Sequence, residues 1–145
     1  MLKVNIVCVG KIKEKFYRDA VEEYLKRLSR FAKVEVKELA EGKNLQEEGK
    51  AIIKASKGYV IALCVEGKKL SSEDLAKKIK TLCDAGEEFT FIIGSSYGLC
   101  DEVKKISDFK LSFSDMTFPH QLMRVILCEQ VYRSFMINSN SEYHK

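Results

Sequence analysis

Proline occurs once in these 145 residues and histidine twice, and no apolar run approaches the roughly 18 residues needed to cross a bilayer. Repeats, low-complexity stretches and linkers are absent as well, so the expectation is one domain spanning residues 1–145. That length buries a real core without disulfides or metal. The start, Met1 to Val9, lacks the basic opening and small-residue cleavage site of a signal peptide and reads as a first strand. No membrane partner and a cytoplasmic location are therefore expected. The five cysteines are odd in number and widely spaced, which favours buried free thiols over a redox or metal role. With no close cysteine pair and histidines only at positions 120 and 144, metal ligation has little support. A net charge of +4 permits a polyanionic partner without demanding one.

What is present is an alternation of apolar strands and amphipathic helices. Leu2–Val9 and Val34–Leu39 read as strands, and between them Lys15–Arg30 sets Phe16, Ala20, Tyr24, Leu25 and Leu28 on one helical face. A helix carrying Ile52 and Ile53 follows a polar stretch, then the strand Tyr59–Val65, after which Glu66-Gly67 is expected to turn the chain. Ser71 and Asp74 match a capping pattern ahead of the stripe Leu75, Ile79, Leu82, and Phe89–Ile93 is a continuous apolar strand. Continuous apolar strands separated by helices point to an α/β fold, a mostly parallel sheet covered on both faces.

The most informative stretch comes late. A strand running to about Phe113 leads into a loop that ends at Pro119, where a helix to about Ile137 begins without wasting a backbone donor. In a parallel sheet the loops after Val65, Ile93 and Phe113 emerge together at the strand carboxyl ends, where open α/β sheets bind ligands. The middle one, Gly94-Ser-Ser-Tyr-Gly98, is neither a P-loop nor a dinucleotide fingerprint, so ATP and NAD are disfavoured. A ligand held by backbone and apolar walls remains, such as an adenosine bearing a thioether or sulfonium.

Three segments, Gly94 to Leu99, Leu111 to Arg124, and Glu129 to Arg133 with the terminal Tyr143-His144-Lys145, closely resemble the RlmH family of 23S rRNA pseudouridine N3-methyltransferases in the SPOUT superfamily. The likeness extends over the whole chain, including Val9-Gly10-Lys11. It implies a SPOUT fold with a trefoil knot in the C-terminal third, an exception among protein topologies. It implies S-adenosylmethionine as cofactor, held by Leu63, Gly94, Phe113, Ser114, Asp115, Met116, Thr117 and Phe118. It also implies a homodimer in which the partner completes each pocket, and 23S rRNA within the ribosome as substrate, methylated in the helix 69 loop. Under that resemblance Arg133 is the first candidate to stabilise charge on the reacting base, with an ion pair to Glu129 as the competing role. His144 is a candidate to accept the proton or bind the base, and Tyr143 to stack on it. Arg124 is expected at a phosphate or an interface, and His120 at the helix start or the dimer contact.

This chain departs from the family pattern at three places. Ser95 stands where many relatives have glycine and would crowd the loop, Asp115 adds a carboxylate, and Asn138–Glu142 lacks an Arg-Gly pair. Ser95 and Asp115 motivate one rival, a noncatalytic ribosome- or RNA-binding protein of SPOUT type; a flavodoxin-like nucleotide-binding domain, with an unknotted sheet, is a second and separate rival. The early basic cluster, Lys11 to Lys33, is interspersed with Glu14, Asp19, Glu22 and Glu23 and reads as a solvated helix rather than an RNA face.

Overall fold

The computed structural model describes all 145 residues. Five strands, β1 (Lys3–Val9), β2 (Lys33–Leu39), β3 (Tyr59–Lys69), β4 (Phe89–Ile93) and β5 (Phe109–Ser112), form one sheet in the order β2-β1-β4-β3-β5. Every pairing is parallel, with Val4 opposite both Val34 and Phe89. The alternation of side chains along the strands divides the core in two. Val4, Ile6, Phe89 and Phe91 face one side, where α1 (Lys15–Leu28), α3 (Ser72–Asp84) and α5 (His120–Asn138) cover them. Val7, Val9, Val60 and Ile92 face the other, under α2 (Leu45–Ala55) and α4 (Asp101–Ile106).

This placement follows from handedness. The steps β1 to β2 and β3 to β4 move one way across the sheet and use the first face, while β2 to β3 and β4 to β5 move the other way and use the second. All four crossovers therefore share one hand, as parallel connections overwhelmingly do. The α/β fold with helices on both faces is as expected. A flavodoxin order, 2-1-3-4-5, is excluded because β3 and β4 are exchanged.

Two expectations need correction. Phe16 does not join the core of α1; it is 64% exposed, and Val21 with Tyr17 takes its place beside Leu28, Tyr24 and Leu25, which pack inward as expected. Glu66-Gly67 does not turn the chain, because β3 continues to Lys69 through a register shift between Leu63 and Lys68, both of which pair with Leu111. The residues between them bow out of the ladder. Gly67 is required there by proximity: a Cβ at this position would lie 2.7 Å from the backbone carbon of Lys110.

The five cysteines are free, and Cys8 and Cys128 are fully buried in the same half of the core. Burial raises the Cys8 thiol from the ordinary 9.0 to about 11 and the Cys128 thiol to about 12. Above pH 9 the unfolded chain releases these two protons while the folded chain keeps them, so the thiols' contribution to stability is complete below pH 9 and is lost as pH rises. The expected slope between pH 9 and 11 is about 1.4 kcal/mol per pH unit for each thiol. Urea unfolding at stepped alkaline pH checks this, and a Cys8→Ala/Cys128→Ala variant should lose the share of the slope that these two thiols contribute, leaving that of Cys64, Cys83 and Tyr143.

Candidate functional site

The carboxyl ends of β3, β4 and β5 enclose a cavity of about 720 Å³. Its walls are Leu63 and the bowed residues Cys64, Val65 and Glu66, the loop Gly94–Leu99, and the β5–α5 connection with the first turn of α5. The volume and the mix of apolar side chains with backbone groups suit a nucleoside-sized ligand. Of the residues expected at a cofactor, Leu63, Gly94, Phe113, Ser114, Met116, Thr117 and Phe118 line this cavity.

Asp115 does not. Its side chain is turned outward to an ion pair with Lys69 at the end of β3, which ties the β5–α5 connection to the bowed strand. Ser95 does not crowd the loop either, because its hydroxyl donates to the buried Glu48 carboxylate at 2.9 Å. The other Glu48 oxygen accepts from the Gly42 amide at 3.2 Å, so one carboxylate anchors the glycine loop to α2 and to the loop after β2. Gly94 is enforced by close approach, since a Cβ there would sit 2.4 Å from the Gly98 carbonyl oxygen.

Further residues enter that the sequence did not single out. Glu66 and Lys104 line the cavity as an ion pair, and the hydrogen bond from Lys104 holds the Glu66 carboxyl below its ordinary range. His120, assigned by sequence to the helix start or an interface, is both the first residue of α5 and part of the cavity wall. Tyr97, 80% exposed, and Met116, 74% exposed, stand at the rim. Nothing in the local pattern marks Glu66 or Lys104, because a four-residue bow in a strand has no sequence signal of its own. No group of three or more His, Cys, Asp or Glu side chains is arranged to hold a metal ion.

The tail is placed by its own helix stop. Asn140 adopts φ 57°, its amide bonds the Ile137 carbonyl at 3.0 Å, and the Ser141 amide bonds the Met136 carbonyl at 3.0 Å. This is a Schellman cap with asparagine in the left-handed position, and it folds the tail back along α5. The Tyr143 hydroxyl then donates to Glu129 at 2.8 Å, and the Arg133 guanidinium lies 4.9 Å over the Tyr143 ring while donating to both Glu129 oxygens. Burial and the Glu129 hydrogen bond raise the Tyr143 phenol above its ordinary range. Arg133 also donates to His144 Nδ1 at 3.0 Å. An arginine can only donate, so Nδ1 is the acceptor nitrogen, and the proton of the neutral ring is on Nε2, directed to Glu73.

Arg133, Tyr143 and His144 thus form one cluster with Glu129, but none of them lines the 720 Å³ cavity of their own chain. A smaller recess of about 230 Å³ adjoins it, sharing Leu111, Phe113 and Phe118 and bounded by Ser72 and Gln130, the immediate neighbours of Glu73 and Glu129. The two groups of residues are therefore adjacent but separate.

Arg124 requires the plainest correction. Its side chain has no exposure; Nη1 pairs with Glu38, Nη2 donates to the Gly10 carbonyl at 3.0 Å, and Nε is buried without a partner. No phosphate reaches it. The sequence placed it on the surface because a lone arginine on a helix is ordinarily there.

Comparison with known proteins adds to this geometry. Residues 2–144 match the family described as "Predicted SPOUT methyltransferase". The ribosomal RNA large subunit methyltransferase H of Lactobacillus acidophilus is 47% identical, over 99% of this chain and 100% of its own length. The protein of the same name from Lactobacillus helveticus is 46% identical over the same shares. A Methanococcus maripaludis protein provisionally given that name is 49% identical, again over 99% and 100%.

Proposed function

The chain belongs to the SPOUT methyltransferase family, as a ribosomal RNA methyltransferase, and from that premise we propose that it methylates N3 of a pseudouridine in the helix 69 loop of 23S rRNA, using S-adenosylmethionine on assembled ribosomes. The observation that carries this reading is the convergence of three strand-end loops on one cavity of nucleoside size. Leu63, Gly94 and the run Phe113–Phe118 would hold the cofactor there, with Asp115 acting on the fold of that run through Lys69. When bound, the cofactor supplies an electrophilic methyl group on a sulfonium. Holding the base in line with that group accounts for much of the rate.

The N3 proton must leave, and the negative charge it leaves behind spreads to the flanking carbonyl oxygens of the base. Arg133 donates to those oxygens, a role suited to its permanent charge and forked donors. His144 Nδ1, released when Arg133 turns to the base, is the lone pair that takes the proton. Tyr143 stacks on the base. These residues do not line their own chain's cavity, which fits the homodimer that the family resemblance implies, with each cluster acting in the cavity of a second copy. α5 supports this: its core side is Leu127, Cys128 and Val131 with Val125 packed beside them, yet Leu122 and Ile126 on other sides are also apolar and only half-buried. The same premise carries the trefoil knot of the C-terminal third and, from the ribosomal substrate, a cytoplasmic location.

A noncatalytic ribosome-binding role finds no support in the departures that suggested it. Ser95 is bonded to Glu48 and Asp115 to Lys69, so neither obstructs the cavity. Calorimetry with S-adenosylmethionine separates the two readings, since a dead pocket would bind none. Mass spectrometry of rRNA from a deletion strain is expected to show one missing methyl group in the helix 69 loop, restored by the native gene. An unchanged methylation pattern would overturn the assignment.

A further inference from the structure

The loop Gly10–Glu14 joins β1 to α1 at the same rim of the sheet as the cavity. It is fixed from four directions. The Gly10 amide bonds the Leu39 carbonyl at 2.7 Å and its carbonyl accepts from the buried Arg124 at 3.0 Å. Ile12 is anchored in the core. Gln121 Oε1, on the first turn of α5, accepts from the amides of Lys13 at 3.0 Å and Glu14 at 3.5 Å. Arg18 donates to the carbonyls of Ile12 and Lys13, each at 3.1 Å. This bonding, with Gly10 and Ile12 buried, holds the backbone of the loop in one shape and leaves Lys11, Lys13 and Glu14 exposed.

What that shape presents is cationic. The helix behind it pairs Lys15 with Asp19 and Arg27 with Glu23, while its Arg18, Glu22 and Lys26 enter no ion pair. Lys11, Lys13 and Arg18 are exposed and enter no ion pair. The opposing charges nearby are Glu14 within the loop and Glu41 beside Gly10. Phe16, expelled from the core, stands one turn away with its ring 4.4 Å from that of Tyr17. The loop also borders the cavity: His120, part of the cavity wall, comes within 3.9 Å of where a Gly10 Cβ would lie. Exposed cations on a fixed backbone with an exposed aromatic are what a looped RNA strand engages, through its phosphates and an unstacked base.

We propose that Gly10–Glu14 and the first turn of α1 dock the RNA backbone flanking the target nucleotide, with Lys11, Lys13 and Arg18 at phosphates and Phe16 under an unpaired base. This rests on the rRNA methyltransferase reading and extends it to a surface. It also restores to the sequence's basic cluster the RNA contact denied to it, confined to the loop rather than the helix.

The test uses the full-length protein and ribosomes purified from a deletion strain. For Lys11→Ala/Lys13→Ala the KM for ribosomes should rise about tenfold, and the slope of log affinity against log salt should fall by roughly two, while cofactor affinity by calorimetry stays at the native value. Phe16→Ala should raise the KM severalfold without altering the sedimentation of the free protein. A native KM and salt slope in the double variant would overturn the proposal. A change in oligomeric state in Phe16→Ala would assign that ring to a subunit contact and remove the stacking part. If the native protein methylates no ribosomes, the methyltransferase reading fails instead, and co-sedimentation of native and variant proteins with ribosomes still decides the surface.

Discussion

Arg133→Ala should lower the rate of rRNA methylation about a thousandfold, the usual consequence of deleting a donor to developing negative charge. The measurement is single-turnover methyl transfer to ribosomes from a deletion strain. A structural role for the same side chain predicts something different. Its ion pair with Glu129 joins successive turns of α5 at 2.9 Å, with side chains 24% and 17% exposed, so its loss should cost only about 0.5–1 kcal/mol of stability. Glu129→Gln separates the two. If Arg133 serves the fold through Glu129, the two substitutions should reduce activity alike. If Arg133 serves the base, Glu129→Gln should retain far more activity than Arg133→Ala. Arg133→Lys should recover little, because an ammonium cannot reproduce the paired donors. Equal losses from Arg133→Ala and Glu129→Gln, or a loss from Arg133→Ala below tenfold, would remove Arg133 from the chemistry.

The contrast between Arg133 and Phe16 shows what the sequence could convey. Strands were legible because parallel strands buried on both faces are continuous apolar runs, and helix starts because Ser71 and Pro119 are positional signals. The meeting of three loops at one cavity was legible for the same reason, since parallel strands send successive carboxyl ends to one rim. Periodicity fails where two apolar stripes adjoin. Along α1, Phe16 and Ala20 lie beside Tyr17 and Val21, and only the position of α5 decides that the second stripe is buried. Glu66-Gly67 mimics a turn because close backbone approach and a reversal both select glycine. The course of the tail depends on Asn140 taking a conformation usually left to glycine, which a polar pentapeptide does not reveal. Arg124 was the least legible, because both its partners lie far away in sequence, Glu38 at a separation of 86 residues and Gly10 at 114.

That remoteness makes Arg124→Met the substitution with the largest expected effect on stability, about 3 kcal/mol. Methionine fills much of the same volume, so the cost is that of stranding the groups the guanidinium serves. The Gly10 carbonyl would lose its side-chain donor inside the fold. Glu38 would lose its ion-pair partner, although its 36% exposed side chain takes up water in part. Breaking a fully buried pair costs roughly 3–5 kcal/mol, and that hydration moves the expectation to the lower end. Glu38→Leu added to Arg124→Met should recover part of the loss, because an apolar pair in place of an ionic one no longer strands the carboxylate. Urea unfolding of the two single variants and the double variant measures the coupling directly. The consequence for function follows from the second bond: a Gly10 carbonyl without its donor loosens the loop that carries Lys11 and Lys13, so Arg124→Met should raise the KM for ribosomes while cofactor affinity holds. An Arg124→Met protein within 0.5 kcal/mol of the native stability would show that the guanidinium is dispensable to the fold, and a native KM in the same protein would show that the loop keeps its shape without it.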